Sequence, residues 1–149
     1  MDSRIEKIVV SNSPKETHAL GQQISSFLLP GSVVALFGNL GSGKTHLTKG
    51  IALGLGITET ITSPTYTIIN EYPLPAGIFS FYHIDAYRLN NNSDFEDIGG
   101  LEIIHSKGIS IIEWSERIIN FLPDSVIKIS FEILDASSRL IKITGLDKI

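Results

Sequence analysis

The sequence predicts an α/β fold, a mostly parallel sheet with added antiparallel strands and helices on both faces. Three observations predict it. Short apolar runs alternate with helical patterns through the first half of the chain, a glycine-rich turn joins one such run to the next helix, and two late apolar runs flank a hairpin turn.

Taken in order, residues 5–10 read as the first strand. Ser13-Pro14-Lys15-Glu16 then signals a helix start, with Ser13 as N-cap, Pro14 at the first helical position and Glu16 completing a capping box. Ala19, Leu20, Ile24, Phe27 and Leu28 continue this helix as an apolar face, and Pro30-Gly31 ends it. Val33-Val34-Ala35-Leu36-Phe37 is apolar and rich in β-branched residues, as a buried parallel strand requires. Beyond the glycine-rich turn, Leu47, Ile51 and Leu55 fall at helical spacing within residues 46–55. Residues 57–72 contain Pro64 and many hydroxyls, and read as an extended loop followed by a strand at 66–71. A turn at 73–77 leads to an aromatic-rich strand at 78–84 that ends at Asp85. A loop at 90–93, a short helix at 101–106 and a buried strand at 109–112, ending at Glu113-Trp114, follow. Strands at 126–134 and 139–144 enclose Asp135-Ala136-Ser137-Ser138, a hairpin turn.

The bulk composition narrows the function classes. A chain of 149 residues fits a single domain, 1–149, with no room for a separate substrate domain of ordinary size. It has no cysteine, which excludes disulfides, thiolate zinc sites and cysteine nucleophiles and suits a reducing compartment. Charges stand where a signal peptide needs an apolar core, and no apolar run reaches membrane-spanning length, so a soluble cytoplasmic protein with no membrane partner is expected. The net charge of −4 and the lack of a basic run argue against direct gripping of nucleic acid, which is driven by clustered Lys and Arg. A role in nucleic-acid metabolism would then pass through a partner protein.

The turn itself reads Gly38-Asn39-Leu40-Gly41-Ser42-Gly43-Lys44-Thr45, a complete G-x-x-x-x-G-K-[ST] phosphate loop, with His46 next in the helix. Glycines let successive backbone N–H groups turn inward around phosphates, Lys44 reaches the β and γ oxygens, and the Thr45 hydroxyl can ligate Mg²⁺. Strand, turn and helix N-terminus in this order are the geometry that anion binding needs. The fold expected is thus that of a P-loop NTPase, with a nucleoside triphosphate and Mg²⁺ as ligands. No Asn-Lys-x-Asp guanine-reading pattern is present, which tilts the nucleotide toward ATP.

In a parallel sheet, ligands sit beyond the carboxyl ends of the strands. That places two carboxylates beside the loop, Asp85 and Glu113, either suited to share a Mg²⁺ shell or orient a water. Lys44, Asp85 and Glu113 are accordingly the candidate catalytic residues, and Thr45, Glu113 and, more weakly, Asp85 the candidate metal ligands. His83, Asp85 and Tyr87 alternate along an extended segment and would share one face. His83 could position Asp85 or the attacking water, or simply bond a backbone carbonyl. Arg88 could stabilise transferring charge or form a surface ion pair. Ser63-Pro64-Thr65 occupies the region where switch loops sense a γ-phosphate, and a plain Ser-Pro turn is the competing reading. Trp114, the only tryptophan, is more often packing than chemistry.

The phosphate loop, Ser63-Pro64-Thr65-Tyr66-Thr67, Asn70-Glu71-Tyr72, His83-Ile84-Asp85-Ala86-Tyr87-Arg88-Leu89 and Ile112-Glu113-Trp114, in this order and spacing, resemble the TsaE (YjeE) family over nearly the whole chain. The resemblance implies an ATPase needed for the threonylcarbamoyladenosine modification of tRNA next to the anticodon, acting with the partners TsaD and TsaB. It implies that the loop amides and Lys44 hold the phosphates, that Thr45 and Glu113 share the Mg²⁺ shell, that Asp85 supports metal or water, and that Trp114 lies beside the site. It also implies a nucleotide-sensitive loop at 63–67 and an adenine contact near 13–17. Asn39 stands where that family commonly has Asp, Ser42 where Ala is common, and His46 where a second Thr is usual; none removes a donor that phosphate binding requires. Ala86 and Ser115 also depart from the pattern.

No obvious arginine finger is present in cis, so slow turnover without partners is expected. Two other functions remain open at this level: a small-molecule kinase, and a non-catalytic module whose ATP-bound form docks on a partner.

Overall fold

The computed structural model describes residues 5–39, 41–62, 69–75, 79–87, 89 and 92–146. Ser63, Pro64, Thr65, Leu40 and Arg88 lie outside the described residues. Seven strands form one sheet: β1 (Glu6–Ser11), β2 (Val33–Phe37), β3 (Ile69–Pro73), β4 (Ser80–Asp85), β5 (Ile109–Glu113), β6 (Ile127–Ile133) and β7 (Arg139–Thr144). Their order is β1-β7-β6-β2-β5-β4-β3. The pairs β6–β2, β2–β5 and β5–β4 are parallel and make the centre. Antiparallel pairs β1–β7, β7–β6 and β4–β3 extend it on both sides. The α/β fold expected from the sequence is the one observed.

Each central strand is buried on both sides, because helices cover both faces. Alternation along β2 divides it between two cores. Val34 and Leu36 pack with Leu20 and Ile24 of α1 (Pro14–Ser25) and with Leu47 and Ile51 of α2 (Lys44–Gly54). Val33 and Ala35 face the other way. They join Phe95 of α3 (Asn92–Asp97), Ile104 of α4 (Gly100–Ile104) and Ile118 of a 3₁₀ segment (Ser115–Phe121). Each fully buried Leu, Ile or Phe here stabilises the fold by roughly 1.5–3 kcal/mol.

Helix α1 begins as the sequence indicates. Ser13 is the N-cap, its Oγ accepting from the Glu16 N–H at 3.0 Å. Glu16 Oε2 accepts from the Asn12 N–H, one residue before the position a capping box would use. The buried face differs from expectation: Ala19 and Phe27 are exposed, whereas Thr17, Leu20, Gly21, Ile24 and Ser25 are buried. The cause is the close crossing of α1 and α2. A Cβ on Gly50 would collide with the His18 carbonyl, and one on Gly21 with the Leu47 carbonyl, so small residues form the seam that apolar periodicity alone had assigned elsewhere. This crossing fixes α2 over β2 and aims its N-terminus at the strand's carboxyl end.

Two further differences involve weak local signals. The run expected as a loop at 90–93 gives way to α3 from Asn92, held by Phe95, which is fully buried and stacks on Phe121 with ring centroids 5.6 Å apart. The 3₁₀ segment after Trp114 has a kink at Ile118 (φ −132°, ψ 28°) that lets this side chain reach the second core. No helix among the described residues is long and apolar enough to cross a membrane.

Candidate active site

Loop, strand ends and hairpin converge on one cleft of about 500 Å³ at the carboxyl end of the parallel strands. Residues 41–46 form one wall. Asp85, Tyr87, Glu113 and Trp114 form the opposite wall, and Ser13, Pro14, Thr17, Ala136, Ser137 and Arg139 close the remaining side.

The loop wall is shaped by backbone conformation. Gly38 has φ +144°, and a Cβ there would press on Ser42 Oγ at 3.0 Å and on Phe131 at 3.1 Å, so only glycine fits without strain. Gly43, the N-cap of α2, is also left-handed at φ +106° and offers no side-chain cap, which leaves the first N–H groups of α2 directed at the cleft. Gly38 and Asn39 do not line the cleft themselves. The Asn39 carbonyl accepts from the Ser42 N–H at 3.1 Å, and the Gly38 carbonyl accepts from Lys44 Nζ at 2.6 Å. His46 lies exposed on the rim.

Lys44 is buried although it is charged. Its Nζ sits 3.8 Å from the centroid of the Trp114 ring, a cation–π contact that replaces part of the lost hydration. Burial pulls its ammonium below the usual lysine value, and the carboxylates of Glu113, Glu116 and Asp85 oppose that shift. The site thus keeps a poorly hydrated cation beside acids, the setting in which an anionic ligand gains most from contact.

The opposite wall follows from strand register. β4 and β5 run parallel with Asp85 opposite Glu113, so two carboxylates from separate strands end side by side. Asp85 Oδ1 accepts from the Tyr87 N–H at 2.9 Å. The Tyr87 ring packs at 4.9 Å on Trp114, and the Arg117 guanidinium lies 5.5 Å from the Tyr87 ring. Trp114 is the sole non-glycine residue with positive φ among the described residues (φ 59°, ψ 43°). A bulky side chain in that region costs about 1–2 kcal/mol, and in this conformation its ring lies over Lys44. Trp114 both packs, on Tyr87 and against the second core, and lines the cleft.

His83 is fully buried, and its partner is not Asp85. Its Nε2 is 2.5 Å from Glu113 Oε2, a partner that differs from both Asp85 and the backbone carbonyl left open by the sequence. His83 and Asp85 do lie on one side of β4, while Tyr87 follows beyond the strand end. Thr45 lines the cleft, and together with Glu113 and Asp85 it offers only oxygen donors, the set Mg²⁺ accepts.

Arg139 was not singled out from the sequence. Its Nη2 donates to the Gly41 carbonyl at 3.1 Å and its Nη1 to the carbonyls of Asp135 and Ser138, tying the β6–β7 hairpin to the loop wall. Its contact spans 98 positions, and no local pattern marks it. Ser13 and Thr17 enter the cleft from the start of α1, where the resemblance had placed an adenine contact.

Fold and cleft together define an α/β protein whose glycine-rich loop, between a buried parallel strand and a helix N-terminus, faces carboxylates at the ends of the neighbouring strands. Comparison with known proteins narrows this class. A family model described as "Threonylcarbamoyl adenosine biosynthesis protein TsaE" matches residues 11–141. The tRNA threonylcarbamoyladenosine biosynthesis protein TsaE of Treponema pallidum (strain Nichols) is 43% identical over 134 residues, covering 90% of this chain and 97% of that protein. The protein of the same description from Bacillus subtilis (strain 168) is 41% identical over 133 residues, covering 89% of this chain and 82% of its own. Among solved structures, the crystal structure of Bacillus subtilus YdiB superimposes with a TM-score of 0.78 at 32% identity, covering 98% of this chain and 89% of the other. The chain belongs to the TsaE family of threonylcarbamoyl adenosine biosynthesis proteins.

Proposed function

We propose that the protein binds ATP with Mg²⁺ in this cleft and hydrolyses it in support of the threonylcarbamoyladenosine modification of tRNA, working with TsaD and TsaB in the cytoplasm. One observation carries the reading: Lys44 and Thr45 at the N-terminus of α2 share a single cleft with Asp85 and Glu113 from two adjacent parallel strands. A glycine-rich turn alone would bind an anion. A carboxylate pair opposite it adds the means to hold a metal and orient a water.

In this reading the loop N–H groups and Lys44 hold the phosphates, and Thr45, Glu113 and Asp85 hold Mg²⁺. The metal, when bound, supplies neutralisation of phosphate charge. Glu113 also orients the attacking water, and Trp114 keeps Lys44 in place while excluding solvent from one side. The family places the chain in tRNA threonylcarbamoyladenosine biosynthesis. The acidic net charge of −4 favours a partner protein, rather than this chain, as the tRNA-gripping component.

The test is ATP turnover with and without TsaD and TsaB, together with co-purification of the three proteins. Slow release of phosphate alone, a change on adding the partners, and quenching or enhancement of Trp114 emission by ADP are expected. Hydrolysis at an unchanged full rate with no association would defeat the reading, as would labelled γ-phosphate transferred to a metabolite.

A further inference from the structure

We propose that His83 is a positioning residue whose Nε2–H clamps Oε2 of Glu113, so that Glu113 presents Oε1 to the cleft and is held away from Lys44. The inference rests on the reading of Glu113 as the carboxylate that serves ligand and metal.

The register explains how the pair forms. His83 lies opposite Ile111, two pairs before Asp85 and Glu113, and therefore on the same side of the sheet as Glu113. From there its ring reaches along β5 to the carboxylate at 2.5 Å. His83 is fully buried, on the side of the sheet where Phe81 and Ile111 belong to the first apolar core. An apolar side chain of the same size would pack there without any polar atom to satisfy. Packing therefore does not account for an imidazole here, whereas its N–H does.

The hydrogen-bond inventory decides the direction of the contact. A carboxylate only accepts, so Nε2 carries the proton and donates. Nδ1 has no hydrogen-bond partner among the described residues. The ring is thus committed to one acceptor atom.

The clamp has a consequence for Lys44. Glu113 and Lys44 are both buried and share the cleft, and opposite charges so placed attract strongly where water is scarce. With Oε2 fastened to His83, Lys44 turns instead to the Gly38 carbonyl and the Trp114 face. Releasing Glu113 lets it rotate toward the ammonium, which removes both a phosphate-binding cation and an oxygen donor from service. Groups that orient a metal-binding side chain in this way typically change metal affinity or activity by about 10–100-fold when removed.

The experiment compares His83→Leu, which keeps volume and loses the donor, with His83→Gln, whose amide N–H reaches about as far as Nε2. Each folded variant is titrated with Mn²⁺ in the presence of ADP by electron paramagnetic resonance, and its kcat and KM for ATP are measured with Mg²⁺. His83→Leu is expected to lower Mn²⁺ affinity and kcat by about tenfold or more and to raise KM, since Lys44 is drawn from the phosphates, and His83→Gln to restore most of each. His83→Asn, too short to reach Glu113, repeats the loss should the leucine variant fail to fold. Wild-type Mn²⁺ affinity and kcat in either loss variant, or no recovery in a folded His83→Gln, overturns the proposal. A Glu113→Ala variant with unchanged Mn²⁺ affinity and turnover defeats the underlying reading of Glu113 instead, a result separable from any seen at His83.

Discussion

The loop wall of the cleft, residues 41–46, works mainly through backbone groups, whereas the opposite wall works through the side chains of Asp85, Glu113 and Trp114. The first depends on where glycines let the chain turn. The second depends on two strands running parallel in one register, which brings Asp85 and Glu113 together from positions 28 residues apart in sequence. In the proposed function, binding and chemistry divide along the same line: amides at a helix N-terminus would attract any phosphate, while the facing carboxylates would decide what happens to it. Lys44 belongs to both walls, because its backbone starts α2 and its ammonium lies on Trp114.

The largest effect should therefore come from Lys44→Ala, which removes the group that the two walls share. ATP affinity measured calorimetrically should fall by at least about 100-fold, in line with the ~2–5 kcal/mol cost of truncating one partner of a buried charged contact. Retention of ATP affinity within threefold would show that the amides alone suffice. Glu113→Ala breaks only the side-chain wall. Nucleotide binding should persist while kcat drops about 100-fold, the scale of losing a positioned base or water-orienting group. If kcat survives and KM rises instead, the division between the walls is wrong.

Gly38→Ala attacks the loop wall without touching a charge. The new Cβ meets Ser42 Oγ and Phe131 at a φ that L side chains rarely adopt, so a loss of ~1–3 kcal/mol is expected in chemical denaturation. Nucleotide affinity should weaken with it, since the Gly38 carbonyl anchors Lys44. An unchanged denaturation midpoint would mean that the loop relaxes freely.

The two walls also differ in how legible they are in the sequence. The loop is readable because its requirements are local: glycine spacing, a lysine and a hydroxyl, bounded by an apolar strand and a helical pattern. Asp85 and Glu113 are readable one at a time, as acids ending apolar runs, and the parallel sheet then predicts that they converge. The contact between His83 and Glu113 spans 30 positions and depends on the register of β4 with β5, which no periodicity encodes. Arg139 is hidden for the same reason, since its place beside Gly41 follows from β7 lying two strands from β2. Helix α3 is hidden in the sequence because a polar run masks its anchor, Phe95, whose burial comes from tertiary packing against Phe121. The buried face of α1 departs from its apolar periodicity because glycine and serine, rather than large apolar residues, fill the seam with α2.

The hairpin at Asp135 sharpens the comparison at its smallest scale, because it supports the loop wall from outside. Asp135 Oδ1 accepts from the N–H groups of Ser137 and Ser138 at 2.9 and 2.8 Å, and Arg139, which starts β7 after the turn, reaches the Gly41 carbonyl. The Ser137 N–H, and then that of Ser138, holds the Asp135 carboxyl below its ordinary value of 3.8. A carboxylate whose folded pKa is depressed contributes stability above the unfolded value and loses it as pH falls through the folded one. The turn should accordingly be intact at neutral pH and loosen only below 3.8. Amide chemical shifts of Ser137 and Ser138, followed by NMR down an acid titration, should move together with a midpoint under that value, and Asp135→Ala should abolish the shared transition. The accompanying fall in melting temperature should be smaller than for Gly38→Ala, since the group is exposed and solvent replaces its bonds. If the two amides titrate at the ordinary carboxylate value or independently, the side chain does not organise the turn, and the support that Arg139 gives the loop wall comes from the β6–β7 pairing alone.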